Sequence, residues 1–286
     1  MTKYCGRNFS TTEMGQIRQL IADNPERHRK DLSKDVCRIL QWLKPDGGLK
    51  DMSCRVAMLR MHADGRITLP LPRRVKAPVR RVESTSATDP HEPILNPVQH
   101  LGPLLLRKVE GAPQSRLWNE YIERYHYQGY TPLPGAQIRY FVMLGQEVVA
   151  LLGFGAAAWQ VAPRDNYIGW TEAQRKCHLP LVVNNARFLI LPWVQVKNLA
   201  SKILGMAVKQ VPKDWQERYA IKPVLMETFV EIDRFEGTCY KAANWVCVGM
   251  TQGRGKLGPS GKQSVPIKDI LVYPMDINFK KILTQN

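Results

Sequence analysis

Apolar residues recur every three or four positions in three stretches of the first 72 residues, and this spacing predicts three short helices. Ser10 and Glu13 have the spacing of a capping box, so the first helix is expected to begin directly after Ser10. The predicted inward-facing residues are Met14, Ile17, Leu20 and Ile21 in the first helix, Leu32, Val36, Ile39 and Leu40 in the second, and Met52, Val56 and Leu59 in the third. A short strand is predicted over residues 66–70, which follow a turn.

Between residues 101 and 286 the pattern changes, and apolar runs typical of strands alternate with helical spacing. Strands are predicted over residues 104–109, 139–144, 147–154, 187–191, 223–230 and 246–251. Helical segments are predicted over residues 114–127, 197–211 and 238–243, and a polar insertion over residues 163–180. This order predicts an α/β (α+β) domain with a mixed sheet over residues 101–286.

Residues 73–100 lack any hydrophobic periodicity and contain several prolines. Their first half is strongly basic. A linker is therefore expected here, and its first half is either in contact with a phosphate backbone or simply solvated.

The charge of the chain is high and unevenly distributed. Lysine and arginine total 41 residues against 25 acidic residues, a net charge of +16. Residues 1–82 hold 18 basic and 8 acidic residues, so +10 of that charge lies in the first third of the chain. Counterion release favours binding of such a surface to nucleic acid, and DNA is the expected partner. No amphipathic stripe with a lysine-rich polar face supports a membrane surface as the alternative.

Three helices followed by a basic strand are typical of a winged helix-turn-helix, so residues 1–72 are predicted to form a winged-helix DNA-binding domain. The alternative is a three-helix module that binds protein rather than DNA. The expected DNA contacts of the third helix, the strand and the linker are Lys50, Ser53, Arg55, Arg60, Arg66, Arg73, Arg74, Lys76, Arg80 and Arg81.

The six cysteines include no CxxC pair, which indicates reduced thiols and no zinc site. No apolar run is long enough for a membrane span, and no signal peptide is visible at the N-terminus. A cytoplasmic protein without a bound metal or other cofactor is therefore expected, and the sequence leaves its oligomeric state open.

The element order of residues 101–286 resembles the GCN5-related N-acetyltransferase (GNAT) fold. In that family a loop at a helix N-terminus cradles the acyl-CoA pyrophosphate. Gln195, Asn198 and Ala200 occupy the equivalent positions here, with Asn198 where the family has glycine. Tyr240 matches a family tyrosine that protonates the CoA thiolate. The resemblance thus implies either a CoA-dependent acyltransferase using acetyl-CoA or a GNAT-shaped scaffold without acyl transfer.

Carboxylates in this region suggest a different chemistry. Glu227 lies in an otherwise apolar strand and must be paired, bound to metal or placed at the mouth of the sheet. Together with Asp165 it could hold Mg²⁺ for phosphodiester cleavage in a nuclease. The alternative is a structural ion pair between Glu227 and Arg139, Arg187 or Arg234.

Two further segments fit contact with nucleic acid. Residues 124–130 combine three tyrosines with Arg124 and His126, and they either stack bases and contact phosphate or form the packed end of a helix. Residues 253–262 form a glycine-rich basic loop without P-loop spacing, in which Arg254 and Lys256 are expected to contact phosphate.

Four longer phrases resemble the DruA family, named for a component of the Druantia anti-phage system. They cover residues 155–159, 164–170, 184–193 and 237–245. Similar domains occur beside transposases in mobile elements. The resemblance implies a DNA-binding component of a prokaryotic defence system that works with other subunits. A metal-dependent nuclease of mobile-element origin and an acyltransferase remain as alternatives.

Overall fold

The computed structural model describes residues 2–44, 47–71, 82–253, 263 and 265–285. The chain divides into two compact units, Met1–Arg81 and Val82–Asn286, here called the N-terminal and C-terminal units. In the described ranges no helix is long and apolar enough to cross a membrane.

The N-terminal unit packs a two-stranded sheet with helices around one small core. Its described elements are β1 (Thr2–Tyr4), β2 (Arg7–Phe9), α1 (Thr11–Ala22), α2 (Arg29–Ile39) and α3 (Asp51–Ala63). The predicted capping box is present. The backbone N–H of Glu13 donates to Ser10 Oγ at 3.1 Å, and the backbone N–H of Ser10 donates to Glu13 Oε2 at 2.8 Å. These bonds satisfy free backbone N–H groups at the start of α1 and fix where it begins.

The predicted inward face of α3 is wrong. Met52, Val56 and Leu59 are exposed, as is Ile39 of α2. The buried residues of α3 are Cys54, Ala57, Met58 and Met61. This set also has the three-and-four spacing of a helical stripe, and its two small residues, Cys54 and Ala57, let α3 pack closely against α2.

The predicted winged helix is not confirmed. Residues 66–70 form no strand, although Ile67 and Leu69 are buried in the core. The two-stranded sheet of this unit precedes α1 instead of following α3. Burial of two alternate apolar residues gave the period of a strand, but no strand in the described part of the unit pairs with this segment.

The C-terminal unit is a mixed α/β fold built on a seven-stranded sheet, as the element order predicted. In the described residues its strands are β3 (Leu104–Lys108), β4 (Gln137–Leu144), β5 (Glu147–Ala156), β6 (Val182–Ile190), β7 (Leu225–Glu231), β8 (Val246–Met250) and β9 (Lys268–Pro274). Its helices are α4 (Gly111–Tyr125), α5 (Ala162–Ile168), α6 (Glu172–His178), α7 (Leu199–Tyr219), α8 (Thr238–Ala242) and α9 (Phe279–Leu283). The strand order is β3-β4-β5-β6-β7-β9-β8.

Among the described strands of this sheet, β6 and β7 form the one parallel pair, and this pair is incomplete. The two strands are hydrogen-bonded only from Val182↔Leu225 to Asn185↔Thr228. Beyond that point β6 continues along β5 up to Ile190, and β7 continues along β9 up to Glu231. The strands therefore separate in the middle of the sheet, and a gap opens between their carboxyl-terminal halves.

Several parts of this unit were not predicted. They include β9, which lies between β7 and β8, and helices α5 and α6 within the polar insertion. Residues 82–100 differ from the predicted linker, because they belong to the C-terminal unit. Thr85 and Thr88 both donate hydrogen bonds to the Glu120 carboxylate, and Ile94 forms a β-bridge with Val194.

Candidate functional site

A large cavity occupies the gap between β6 and β7. Its volume is ≈ 1820 Å³. Residues 184–190 of β6 and 228–230 of β7 form its floor, and the last residue of α4 with the three that follow it, residues 125–128, forms part of its wall. The end of the β7–α8 loop and the first residues of α8, together residues 234–240, close another side. Ligands of α/β proteins commonly bind where neighbouring strands diverge in this way, which makes the cavity the candidate functional site.

Cations outnumber carboxylates among the described residues that line this cavity. Arg187, Arg234 and Lys268 line it, whereas Glu236 is the one acidic residue in its described lining. Arg234 forms an ion pair with Glu231 at 3.4 Å. Arg187 and Lys268 have no carboxylate oxygen within 4.0 Å in the described part of the chain. The cavity therefore carries a positive charge that its own side chains leave uncompensated.

Burial alters the pKa values of two ionisable groups that line the cavity, Arg187 and His126. Burial lowers the pKa of the Arg187 guanidinium, whose Nη1 donates to the carbonyl of Ala186 at 2.7 Å. Burial also lowers the pKa of His126 to about 4, and the charges of Arg187 and Lys268 act in the same direction. His126 is therefore neutral at pH 7, and its Nδ1 accepts a hydrogen bond from the backbone N–H of Gln128.

Exposed aromatic rings accompany these cations. Tyr127 is 38% exposed and Phe235 is 48% exposed, and their ring centroids lie 5.3 Å apart in an edge-to-face arrangement. The Arg234 guanidinium lies over the Tyr127 ring, 5.1 Å from its centroid. Of the aromatic residues in the 124–130 phrase, Tyr125, His126 and Tyr127 line the cavity.

Tyr240 lies at the same cavity. Its hydroxyl donates to Asn185 Oδ1 at 2.6 Å, and burial raises the pKa of this phenol above its usual value. Tyr240 therefore keeps its proton at neutral pH. Ala200, in the first turn of α7, also lines the cavity.

The other two predicted cofactor residues precede α7. Gln195 and Asn198 are exposed and lie outside the cavity lining. Asn198 has φ +65°, the left-handed conformation that favours glycine and that asparagine tolerates. The residue thus meets the backbone requirement of the family glycine while retaining a side chain.

Glu227 and Asp165 lie on either side of one buried arginine. Glu227 Oε2 accepts from Arg164 Nη1 at 2.7 Å, and its Oε1 accepts from the backbone N–H of Ala158 at 2.9 Å. Arg164 also donates to Asp165 Oδ1, and Arg175 lies 3.4 Å from Asp165 Oδ2. Burial raises the pKa of the Glu227 carboxyl, and the charge of Arg164 opposes that rise.

These contacts give Glu227 the character of a buried structural ion pair. Its partner is Arg164, which the sequence had not singled out from the other arginines. Across the residues that the structure describes, no group of three or more His, Cys, Asp or Glu side chains could hold a metal ion. Mg²⁺ binding by Glu227 and Asp165 therefore gains no support.

The predicted DNA-contacting residues of the N-terminal unit differ in exposure. Arg60 and Arg66 are exposed, whereas Lys50, Ser53 and Arg55 are half-buried. The remaining candidates lie outside the described residues: Arg73, Arg74, Lys76, Arg80, Arg81, Arg254 and Lys256.

Two basic residues of the cavity, Lys268 and Arg187, were not predicted from the sequence as binding residues. Lys268 begins β9, a strand that was not predicted, so nothing connected it with the other cavity residues. Arg187 was considered only as a partner for Glu227. A basic residue within an apolar strand, without an acidic residue beside it in the chain, was the available signal.

Comparison with solved structures finds acetyltransferases. The aminoglycoside acetyltransferase AAC(6')-Ib in complex with coenzyme A is 15% identical, with a TM-score of 0.42, and the match covers 60% of this chain and 95% of that chain. A spermidine N-acetyltransferase from Vibrio cholerae is 12% identical, with a TM-score of 0.39 and coverage of 60% and 94%. The ribosomal L7/L12 acetyltransferase RimL is 11% identical, with a TM-score of 0.35 and the same coverage.

Sequence comparisons give a family. No curated protein matches the chain. A family model described as Druantia protein DruA matches residues 63–262, which is more than half of the 286 residues. The chain therefore belongs to the DruA family.

Proposed function

We propose that this protein is a DNA-binding component of a Druantia anti-phage system, in which it acts with other subunits, and that its N-terminal unit makes phosphate contacts. The observation that carries the proposal is the net charge of +10 over residues 1–82. A surface with that surplus binds a polyanion by releasing its condensed counterions.

The distribution of ion pairs in the N-terminal unit supports this proposal. Arg7, Arg27, Lys34 and Arg38 each lie within 4.0 Å of a carboxylate oxygen. For Lys50, Arg55, Arg60 and Arg66, no such carboxylate is found in the described part of the unit. The predicted contact residues thus keep their charge available to an external anion.

The salt dependence of DNA affinity tests the proposal. Each phosphate contact contributes about 0.9 to the slope of log affinity against log salt concentration, so the Arg60→Gln/Arg66→Gln variant should lower that slope by about 2. Arg38→Gln is the matched control, because this exposed arginine is already paired with Asp35 at 2.5 Å. DNA affinity that does not change with salt, or equal slopes for both variants, would contradict the proposal.

A second candidate function is CoA-dependent acyl transfer. One specific observation favours it, namely that Tyr240 and Ala200 line the same cavity between the separated strands. When bound, acetyl-CoA would supply the thioester, and Tyr240 holds a proton that it can donate to a departing thiolate. Acetyl-CoA should then raise the melting temperature of the protein in proportion to the logarithm of its concentration. Absence of a shift at millimolar concentration would remove this candidate.

A further inference from the structure

We propose that the cavity between β6 and β7 binds a segment of single-stranded DNA, with a phosphate held by Arg187 and Lys268 and a base stacked on Phe235. This inference rests on the proposed DNA-binding function. It names a second contact region, in the C-terminal unit, and the form of DNA that this region accepts.

The charge of the cavity selects an anionic ligand. Three cations and one carboxylate line the described part of its wall, so a protonated amine would be repelled and a phosphate attracted. Arg187 has lost part of its hydration, and no carboxylate of the described residues compensates for that loss. An arginine in this state gains more from a phosphate than a fully hydrated surface arginine does, because it has less water to lose.

Unsatisfied polar atoms lie in the same lining. Arg187 Nε and Asn184 Oδ1 are both buried without a hydrogen-bond partner in the structure. One is a donor, which suits a phosphate oxygen, and the other is an acceptor, which suits an N–H donor on a base edge. A buried polar atom without a partner costs free energy, and a ligand that pairs with it recovers that cost.

An exposed aromatic ring at the cavity gives the preference for single strands. Phe235 lines the cavity and is 48% exposed, and its edge-to-face contact with Tyr127 fixes its position. The Tyr127 ring already contacts the stacked His126 ring, 4.8 Å away, and the Arg234 guanidinium, so Phe235 is the ring on which a base can stack. Aromatic side chains in a positively charged groove are the usual platform on which unpaired bases stack. In a duplex each base face is already covered by its neighbours, so the platform is of use only to an unstacked strand.

The cavity is large enough to hold a segment of a polymer. At ≈ 1820 Å³ it exceeds the roughly 300–1,000 Å³ typical of sites for small ligands. More than one nucleotide can therefore enter, and both the phosphate and the stacking contacts can form at once.

Fluorescence anisotropy with the full chain tests the inference. The probes are a labelled 12-nucleotide oligo-dT and a labelled duplex of the same length, both at fixed salt. The background is Arg60→Gln/Arg66→Gln, which reduces binding by the N-terminal unit. In that background Lys268→Gln removes a phosphate contact and Phe235→Leu removes the stacking ring, and each should weaken oligo-dT binding by about tenfold. One stacked base contributes on the order of 5- to 150-fold in affinity.

Matched controls lie on other parts of the C-terminal unit. Lys213→Gln removes an exposed lysine of α7, and Trp159→Leu removes an aromatic residue that is 55% exposed. Neither Lys213 nor Trp159 lines the cavity. Both should bind oligo-dT like the background protein. Melting temperatures of all four variants establish that they are folded. Cavity variants that are folded and bind as tightly as these controls would overturn the inference.

Other outcomes separate this inference from the proposed function. If the wild-type chain binds neither probe, both proposals fail. If duplex binding depends on Arg60 and Arg66 while cavity variants leave oligo-dT binding unchanged, only the cavity inference fails. Displacement of oligo-dT by equimolar thymidine monophosphate would indicate a single-nucleotide site, and equal affinity for oligo-U would indicate RNA. Either result would overturn the assignment to single-stranded DNA.

Discussion

Replacing Glu227 with glutamine tests whether this residue is structural. The side chain is fully buried, and each of its oxygens accepts one hydrogen bond. In Glu227→Gln the amide oxygen can still accept from the backbone N–H of Ala158. The amide nitrogen would then face Arg164 Nη1, so two donors would meet and a buried guanidinium would lose one of its two carboxylate partners.

The expected cost is about 3 kcal/mol of the free energy of unfolding of the C-terminal unit. Removing one partner of a buried ion pair costs roughly 3–5 kcal/mol, and the lower end applies because Arg164 retains Asp165 at 2.8 Å. For a domain of this size, about 3 kcal/mol corresponds to a fall in melting temperature of about 6–12 °C.

Scanning calorimetry and urea unfolding would measure this loss. Glu172→Gln is the matched control, because Glu172 forms an exposed i,i+4 pair with Lys176 and its replacement should leave the free energy of unfolding almost unchanged. The reasoning is refuted if Glu227→Gln unfolds within about 1 kcal/mol of the wild type. Unchanged stability together with loss of a Mg²⁺-dependent DNA cleavage would instead assign Glu227 to a nuclease centre.

Three further changes have predictable effects on stability. Ser10→Ala removes the cap of α1 and should lower the free energy of unfolding of the N-terminal unit by about 1 kcal/mol, as measured by urea unfolding. An unchanged urea midpoint would mean that the cap does not stabilise the unit. The pKa of His126 is about 4 in the folded protein and about 6.5 in the unfolded chain. Protonation of this group should therefore lower the free energy of unfolding of the C-terminal unit by about 2 kcal/mol between pH 7 and pH 5. His126→Gln should remove that part of the pH dependence, and an identical pH profile would contradict the assignment. Gly153→Ala should lower the free energy of unfolding by about 1–3 kcal/mol, because its new Cβ would lie 3.2 Å from both Arg187 Cβ and the Trp118 ring. Thermal melting measures this loss.

Features governed by residues close in sequence could be predicted. The capping box at Ser10 needs only Glu13, three residues away, and it is present. The hairpin of β4 and β5 follows from two apolar runs around a short turn, and both strands are present with antiparallel register. The helix cap and the hairpin each depend on residues that are close in sequence, so their formation does not require contacts with distant parts of the chain.

The cavity could not be predicted, because its parts are distant in sequence. β9 pairs between β7 and β8, although β8 precedes it in the chain, and this inverted order places Lys268 beside β7. The sequence of residues 268–274 does not indicate that β9 lies between β7 and β8. A strand that is paired on both edges and covered on both faces has a continuous apolar run, and such a run does not specify its neighbours. The choice of Arg164 as the partner of Glu227 has the same origin, because the two residues are 63 positions apart.

The error over α3 has a different cause and bears on DNA binding. Two stripes on this helix have equally good spacing, and hydrophobicity favours Met52, Val56 and Leu59 over the smaller set that includes Cys54 and Ala57. Close packing against α2 decides the matter, because a small residue lets the two helix backbones approach. The consequence is an exposed face of α3 that is partly apolar and not purely polar. A surface of this composition suits thymine methyl groups and protein side chains as well as phosphates, so the salt slope of the Arg60→Gln/Arg66→Gln variant, and not affinity alone, is the measurement that isolates the phosphate contacts.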